Sequence, residues 1–275
     1  MNDSLFPHYQ KIKPLLNKKQ IKLYKSLTQK FKKSSFTKDN EKIEVLKYNE
    51  RVFVFTYKQS VIKIIFNSAI KYKNELYYTD LFYHKIYSLS IPEACMLILP
   101  RFETNLKNVI APCGDAKHAT RRMHQLIFDL ISQVFLFHEN YIVHHDIKPS
   151  NIVKTKDFRW KIIDFGLTLQ HKPNVLDTFL DQFHGTKGIN IPEYNLDNTN
   201  ELERCFWIYM KDWYGVSMSI EEACRNGAVF GVVDTLINLC DLKNFINEMK
   251  YSSVITTLKK LKNRFNITNI PYYLK

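Results

Sequence analysis

Residues 141–153 read Tyr141-Ile142-Val143-His144-His145-Asp146-Ile147-Lys148-Pro149-Ser150-Asn151-Ile152-Val153, and a little further on comes Ile162-Ile163-Asp164-Phe165-Gly166-Leu167. Short apolar pairs bracket each polar stretch, the pattern of loops slung between short strands. Phosphoryl transfer needs a carboxylate to orient and deprotonate an attacking hydroxyl. It also needs oxygen ligands for Mg²⁺ and cations near the phosphates. Asp146, Lys148, Asn151 and Asp164 supply that set.

Working outward, His118 to His138 carries Met123, Ile127, Leu130, Val134 and Phe137 at helical spacing and predicts a long amphipathic helix. Strands around Ile152-Val153 and Lys161-Ile162-Ile163 bracket the turn Thr155-Lys156-Asp157, and helices dominate from about Glu201. Upstream, from Glu41, the period shifts toward two. Ile43 and Val45, then Val52-Phe53-Val54-Phe55, then Val61 to Phe66 predict a three-strand antiparallel meander. A helix over Lys71–Tyr87 and a strand over Cys95–Leu99 follow, and Pro100-Arg101-Phe102 ends the pattern. In residues 1–40 many lysines alternate with Leu15, Leu16, Ile21, Leu23, Leu27 and Phe31, a basic amphipathic helix read as docked on the body.

His-x-Asp-x-Lys-x-x-Asn followed by Asp-Phe-Gly resembles the catalytic and metal-binding loops of eukaryotic-type protein kinases. The resemblance spans roughly residues 41 to 270 and implies an α+β, bilobal protein-kinase fold with a small antiparallel β-rich N-lobe and a larger, mainly helical C-lobe. Its implied divisions are a basic helical extension at 1–40, an N-lobe at 41–99, a hinge at 100–103 and a C-lobe at 104–275. By the same resemblance Asp146 orients the nucleophile and Lys148 steadies the transferring group. Asn151 and Asp164 hold Mg²⁺ or Mn²⁺. Lys63, in Val61-Ile62-Lys63, anchors the α- and β-phosphates of ATP, with Glu75 as its ion-pair partner. Leu99 is the gatekeeper, and hinge backbone groups at Arg101 and Phe102 pair with adenine.

Gly185-Thr186 through Pro192-Glu193 resembles the end of an activation segment, with Thr186 seven residues before Glu193 and its hydroxyl near Asp146 and Lys148. Asp212-Trp213-Tyr214-Gly215 is similar to the start of a buried helix whose Asp braces the catalytic loop. His144 holds that loop by packing and hydrogen bonding, and Arg264 is a candidate partner for Glu193. Lys148 two residues after Asp146 follows the Ser/Thr-kinase pattern.

Two departures stand out. No glycine precedes Gly114, so Lys47-Tyr48-Asn49-Glu50-Arg51 replaces the family's glycine-rich phosphate loop. ATP is then held weakly, or by Lys47 and Arg51, or under a short open turn. The alternative reading is a pseudokinase scaffold; a small-molecule kinase would lack Lys-Pro-x-Asn and Asp-Phe-Gly. His145 stands where many kinases carry the Arg that pairs with a phosphorylated activation loop. It is read as a weaker, pH-dependent cation, so activity does not depend strictly on phosphorylation, with Thr168 and Thr178 as candidate sites. The remaining histidines, His138 and His171 among them, are read as surface or satisfied core groups.

The chain has 275 residues, 45% hydrophobic and 14% aromatic, with 7 Gly and 9 Pro, which excludes disordered and collagen-like classes. Its 40 Lys and Arg against 27 acids give a net charge of +13, an attraction to anionic partners. The five cysteines form no CxxC and fit a reducing compartment. No signal or membrane span is seen, so an intracellular protein of cytoplasm or nucleus is expected. Compact size, the degenerate loop and AT-rich composition are similar to kinases of large DNA viruses such as baculoviruses or poxviruses. The expected partner is a protein substrate offering Ser or Thr, with a basic nucleic-acid-packaging protein as one candidate. The basic arm could engage nucleic acid, viral nucleoprotein, an acidic partner or a second copy.

Overall fold

The computed structural model describes residues 16–30, 44–49, 51–57, 59–66, 69–83, 87–91, 93–109, 116–171, 200–225 and 233–275. The chain divides into two compact units, residues 1–101 and 102–275.

In the first unit, strands β1 (Val45–Tyr48), β2 (Val52–Tyr57), β3 (Ser60–Phe66), β4 (Tyr87–Ile91) and β5 (Ala94–Pro100) form one antiparallel sheet in the order β1-β2-β3-β5-β4. Alternation sorts its side chains. Phe53, Phe55, Ile62, Ile64, Phe66 and Met96 pack on one face with Leu16, Leu23 and Tyr24 of the N-terminal segment. Ile65, Cys95 and Leu97 pack on the other with Tyr72, Leu76, Val52 and Leu99. Helix α1 (Lys18–Lys30) is too short to persist alone in water. Burial of its apolar residues, worth about 2 kcal/mol per large side chain, keeps it on the sheet. It opens on a reciprocal cap: Asn17 N–H donates to Gln20 Oε1 (3.0 Å), and Gln20 N–H donates to Asn17 Oδ1 (2.9 Å). Lys18, Lys19, Lys22 and Lys25 remain exposed.

Helix α2 (Ala69–Tyr83) covers the second face. It ends earlier than the expected Tyr87. Tyr87 instead opens β4, which pairs with β5 from Tyr87↔Ile98 to Ile91↔Ala94. The alternation Tyr-Ser-Leu-Ser-Ile is a strand signal that the helical reading passed over. The β1–β2 connection is short, as one reading had it, but closed. Tyr48 pairs with Phe53, and Asn49 Oδ1 accepts from Arg51 N–H (2.9 Å) and Val52 N–H (2.8 Å). Asn49 N–H donates to Val52 O (2.9 Å). An Asn side chain closes this turn, where the family would use glycine.

In the second unit, α3 (Ala116–Glu139), α4 (Glu201–Arg225), α5 (Val233–Asn247) and α6 (Tyr251–Arg264) bury Leu130, Val134, Trp213, Leu242 and Leu258 among others. Small antiparallel strands line the polar loops. β6 (Thr104–Asn105), β8 (Ile152–Lys154) and β9 (Trp160–Ile162) form one sheet, and β7 (Ile142–Val143) pairs with β10 (Leu169–Gln170). Helix α3 grips the edge of β9: Gln133 Oε1 accepts Ile162 N–H (3.0 Å), and Gln133 Nε2–H donates to Trp160 O (2.9 Å). Asp129 accepts Trp160 N–H (2.8 Å) and both Nε (2.9 Å) and Nη2 (2.6 Å) of Arg159. No helix among the described residues is long and apolar enough to cross a membrane.

Candidate active site

In the first unit Lys63 stands at the centre of the sheet, opposite Val54 on β2 and Leu97 on β5. Its Nζ lies 3.0 Å from Glu75 Oε1 of α2, and the two side chains are 9% and 2% exposed. Two charges this buried persist only as a pair. Leu99 packs on the same face of the sheet as Lys63. The Arg101 guanidinium is exposed and lies 3.5 Å from Glu44, and the Arg101 N–H donates to Gln59 O (2.9 Å). In the second unit Glu103 N–H donates to Lys154 O (2.9 Å). Phe102 is half-buried.

In the second unit β7 delivers the chain into residues 144–151. Pro149 disfavours helical geometry in the residue before it, so Lys148 is extended (φ −157°, ψ 161°) and a single 3₁₀ turn, Pro149–Asn151, follows. That kink brings three predicted site residues together. Asp146 Oδ2 accepts from Lys148 Nζ (2.7 Å) and Asn151 Nδ2 (3.0 Å), and Asn151 Nδ2 also donates to Asp146 O (2.9 Å). Ile163 N–H donates to Asn151 O (2.8 Å), which seats Asp164 beside the loop.

His144 joins the two stretches. Asp146 N–H donates to its Nδ1 (3.2 Å), so Nε2 carries the proton and donates to Ile163 O (3.2 Å). Burial lowers its pKa and keeps it neutral. Phe165 is fully buried against His144 and Phe137, their ring centroids 5.1 and 5.9 Å away. His145 (φ 65°) and Asp164 (φ 71°) occupy the left-handed region, which costs a non-glycine residue on the order of 1 kcal/mol or more. Both lie beside the network, where backbone strain is characteristically stored.

Asp212 lies well inside α4, rather than at a helix start. Its carboxylate accepts His144 N–H (2.7 Å), His145 N–H (2.9 Å) and His138 Nε2–H (3.2 Å). Burial would raise its pKa, but its bond to His138 and the neighbouring imidazoles bring it below the usual value. One turn on, a Cβ at Gly215 would stand 2.5 Å from Ile147 O, so only glycine lets α4 approach the loop this closely.

His145 is not the pH-dependent cation expected from sequence. Its Nε2 lies 3.0 Å from His171 Nε2, so one ring donates and the other accepts. Burial, then His171, push His145 down to about 3. Burial pushes His171 down to about 4. Tyr209 of α4 donates its hydroxyl to His171 O. Thr168 is fully buried with its hydroxyl on His144 O (3.4 Å), so it is no phosphorylation site in this fold. Thr178, Thr186 and Glu193, the expected partner of Arg264, lie outside the described residues, and Arg264 lies 3.7 Å from Asp234.

The depressed histidines have a pH consequence. An unfolded chain takes up these two protons near pH 6.5 and the folded one near 3 and 4. Stability is therefore fully present above about pH 6.5 and falls as pH drops below it, by at most about 1.4 kcal/mol per pH unit for each imidazole. Urea midpoints at pH 7, 6 and 5 should fall progressively, and His171→Gln should flatten the fall. Equal midpoints across that range would contradict the assignment.

A metal fits the donor set. Asn151 turns its amide nitrogen onto two Asp146 oxygens, which directs its own Oδ1 away from them. That oxygen and the Asp164 carboxylate are hard ligands of the kind Mg²⁺ takes alongside substrate phosphates.

Residues 36–252 match the protein kinase domain family, and the chain belongs to it. It is similar to the serine/threonine-protein kinase cds1 of Schizosaccharomyces pombe, at 42% identity over 69 residues, 25% of this chain and 14% of that protein. It is also similar to the dual specificity protein kinase zakA of Dictyostelium discoideum, at 33% over 69 residues, 25% of this chain and 9% of the other. Extracellular signal-regulated kinase 7 of Drosophila melanogaster aligns at 26% over 148 residues, 51% of this chain and 15% of that one. The chain thus spans less than a quarter of the length of each of these relatives.

Proposed function

We propose that this chain transfers the γ-phosphoryl group of ATP to serine or threonine hydroxyls of protein substrates. The observation that carries the reading is the Asp146–Lys148–Asn151 network, bonded through Asn151 O to the N–H of Ile163, the residue preceding Asp164. Asp146 orients the acceptor hydroxyl and takes its proton as the oxygen–γ-phosphorus bond forms and the bond to the β-phosphate oxygen breaks. Lys148, held on that carboxylate, offers its ammonium to the transferring group. Asn151 and Asp164 are the residues to hold Mg²⁺ or Mn²⁺, which would neutralise phosphate charge. Lys63, fixed by Glu75, takes the α- and β-phosphates, and Leu99 stands as gatekeeper. Thr186 is assigned to shape the acceptor site. The lobes are taken as residues 41–99 and 104–275 about a hinge at 100–103, with 1–40 as an extension.

The neutral His145–His171 pair supports activity that does not require a phosphorylated activation loop. A large-DNA-virus origin and a basic packaging protein as substrate are the finer parts of the proposal. Both rest on the chain's compactness and composition.

A second reading, a pseudokinase acting as a binding scaffold, is favoured by the closed, glycine-free β1–β2 turn. Thermal shift with ATP, with and without Mg²⁺, probes nucleotide handling. Wild type should be stabilised by ATP with Mg²⁺ and less by ATP alone, and Asp164→Asn should lose the Mg²⁺-dependent part. A Mg²⁺ response that survives in Asp164→Asn would remove Asp164 from the metal site.

A further inference from the structure

A buried line of hydrogen bonds runs from residue 273 to the loop at 144–151, and chemistry fixes its direction. An indole N–H only donates, and Trp213 Nε1 donates to Tyr273 Oη at 3.0 Å. A carboxylate only accepts, so His138 carries its proton on Nε2, facing Asp212 Oδ2 at 3.2 Å. Burial lowers the pKa of His138 and keeps the ring neutral, so Nδ1 is an acceptor, and the Tyr273 hydroxyl, 2.6 Å away, donates to it. Asp212 passes the restraint on to the backbone N–H groups of His144 and His145. Tyr273, His138, Trp213 and Asp212 are all buried, at 8%, 0%, 0% and 1% exposure.

We propose that Tyr273 is a positioning residue for the loop bearing Asp146, acting through His138 and Asp212; this rests on the protein-kinase reading above. The Asp212 carboxylate sets the Nε2–H tautomer of His138, and the Tyr273 hydroxyl, donating to Nδ1, holds the ring at the angle that reaches Asp212. Without that hydroxyl Nδ1 is a buried acceptor robbed of its donor, and the ring can turn off the Asp212 carboxylate. Asp212 then loses one of its three N–H donors and holds residues 144 and 145 less firmly. The Tyr273 ring also packs against Phe206 and Tyr209, and a phenylalanine would keep those contacts. Tyr273→Phe therefore removes the hydroxyl's bonds to His138 and Trp213 and spares the packing.

The test uses the full chain with Tyr273→Phe, His138→Gln and the double variant. Amide hydrogen exchange at His144 and His145 should quicken about tenfold or more in Tyr273→Phe, with amides of β3 and α6 unmoved. The ¹⁵N shift of His138 Nδ1 should move as that nitrogen loses its hydrogen-bond donor, while Nε2 stays protonated. In a transfer assay kcat should fall about tenfold with the KM for ATP within about twofold. Tyr273→Phe should cost nothing further in the His138→Gln background, since both act on one path. Unchanged exchange at 144 and 145, or equal quickening along the whole chain, would overturn the proposal. If wild type transfers no phosphate, the kinase reading fails, while exchange and the Nδ1 shift still decide the role of Tyr273.

Discussion

Asp146→Asn is expected to lower kcat by about 10²–10⁴-fold, the range supplied by a positioned proton acceptor. An asparagine can still place an oxygen where Oδ2 accepts from Lys148 and Asn151, so the loop should keep its shape. It cannot take a proton from a hydroxyl. The KM for ATP should therefore stay within about twofold of wild type, because the loss falls on the chemical step and not on nucleotide binding. Steady-state kinetics over a range of ATP concentrations, with melting curves to confirm folding, separate the two. Near-normal turnover by Asp146→Asn would remove Asp146 from the reaction. A large rise in KM for ATP at unchanged kcat would give it a binding role instead.

The second large effect is expected at Lys63 and Glu75. Glu75→Gln leaves the Lys63 ammonium buried without its ion-pair carboxylate, and breaking a buried pair in this way costs about 3–5 kcal/mol. Replacing both partners, as Lys63→Met with Glu75→Met, removes both charges and should restore most of that stability. Transfer activity should not return in the double variant, because the strand cation assigned to the α- and β-phosphates is gone. Urea denaturation read beside transfer kinetics makes the distinction. Stability and activity recovering together would show that the pair serves the fold alone.

The motif carrying the site was legible because its chemistry is local. Asp146, Lys148 and Asn151 lie within six residues, and a proline fixes the kink that joins them. Lys63 and Glu75 were legible as a strand residue and a helix residue. What was not legible depends on contacts between distant residues. His171 reads as one of several scattered histidines until the β7–β10 pairing places it on His145, and the burial of that pair overrides the charge expected of His145. Tyr273 carries no motif, and its value comes from meeting His138 across most of the second unit's sequence. Asp212 was recognised as a brace, but its place deep within α4 was not, because that helix has no early break. The helical reading ran on to Tyr87 and left the alternation of residues 87–91 unassigned, although period two marks it as a strand. How the glycine-free turn closes depends on the Asn49 side chain, a contact that residue spacing does not show.

The central claim is that this loop performs phosphoryl transfer, and incubation of the wild-type chain with [γ-³²P]ATP, Mg²⁺ and a generic basic protein substrate tests it most directly. The account expects label on the substrate that survives as phosphoserine or phosphothreonine after acid hydrolysis and is absent with Asp146→Asn. Label at the same level with Asp146→Asn, or none with a wild-type protein that binds ATP, would contradict it.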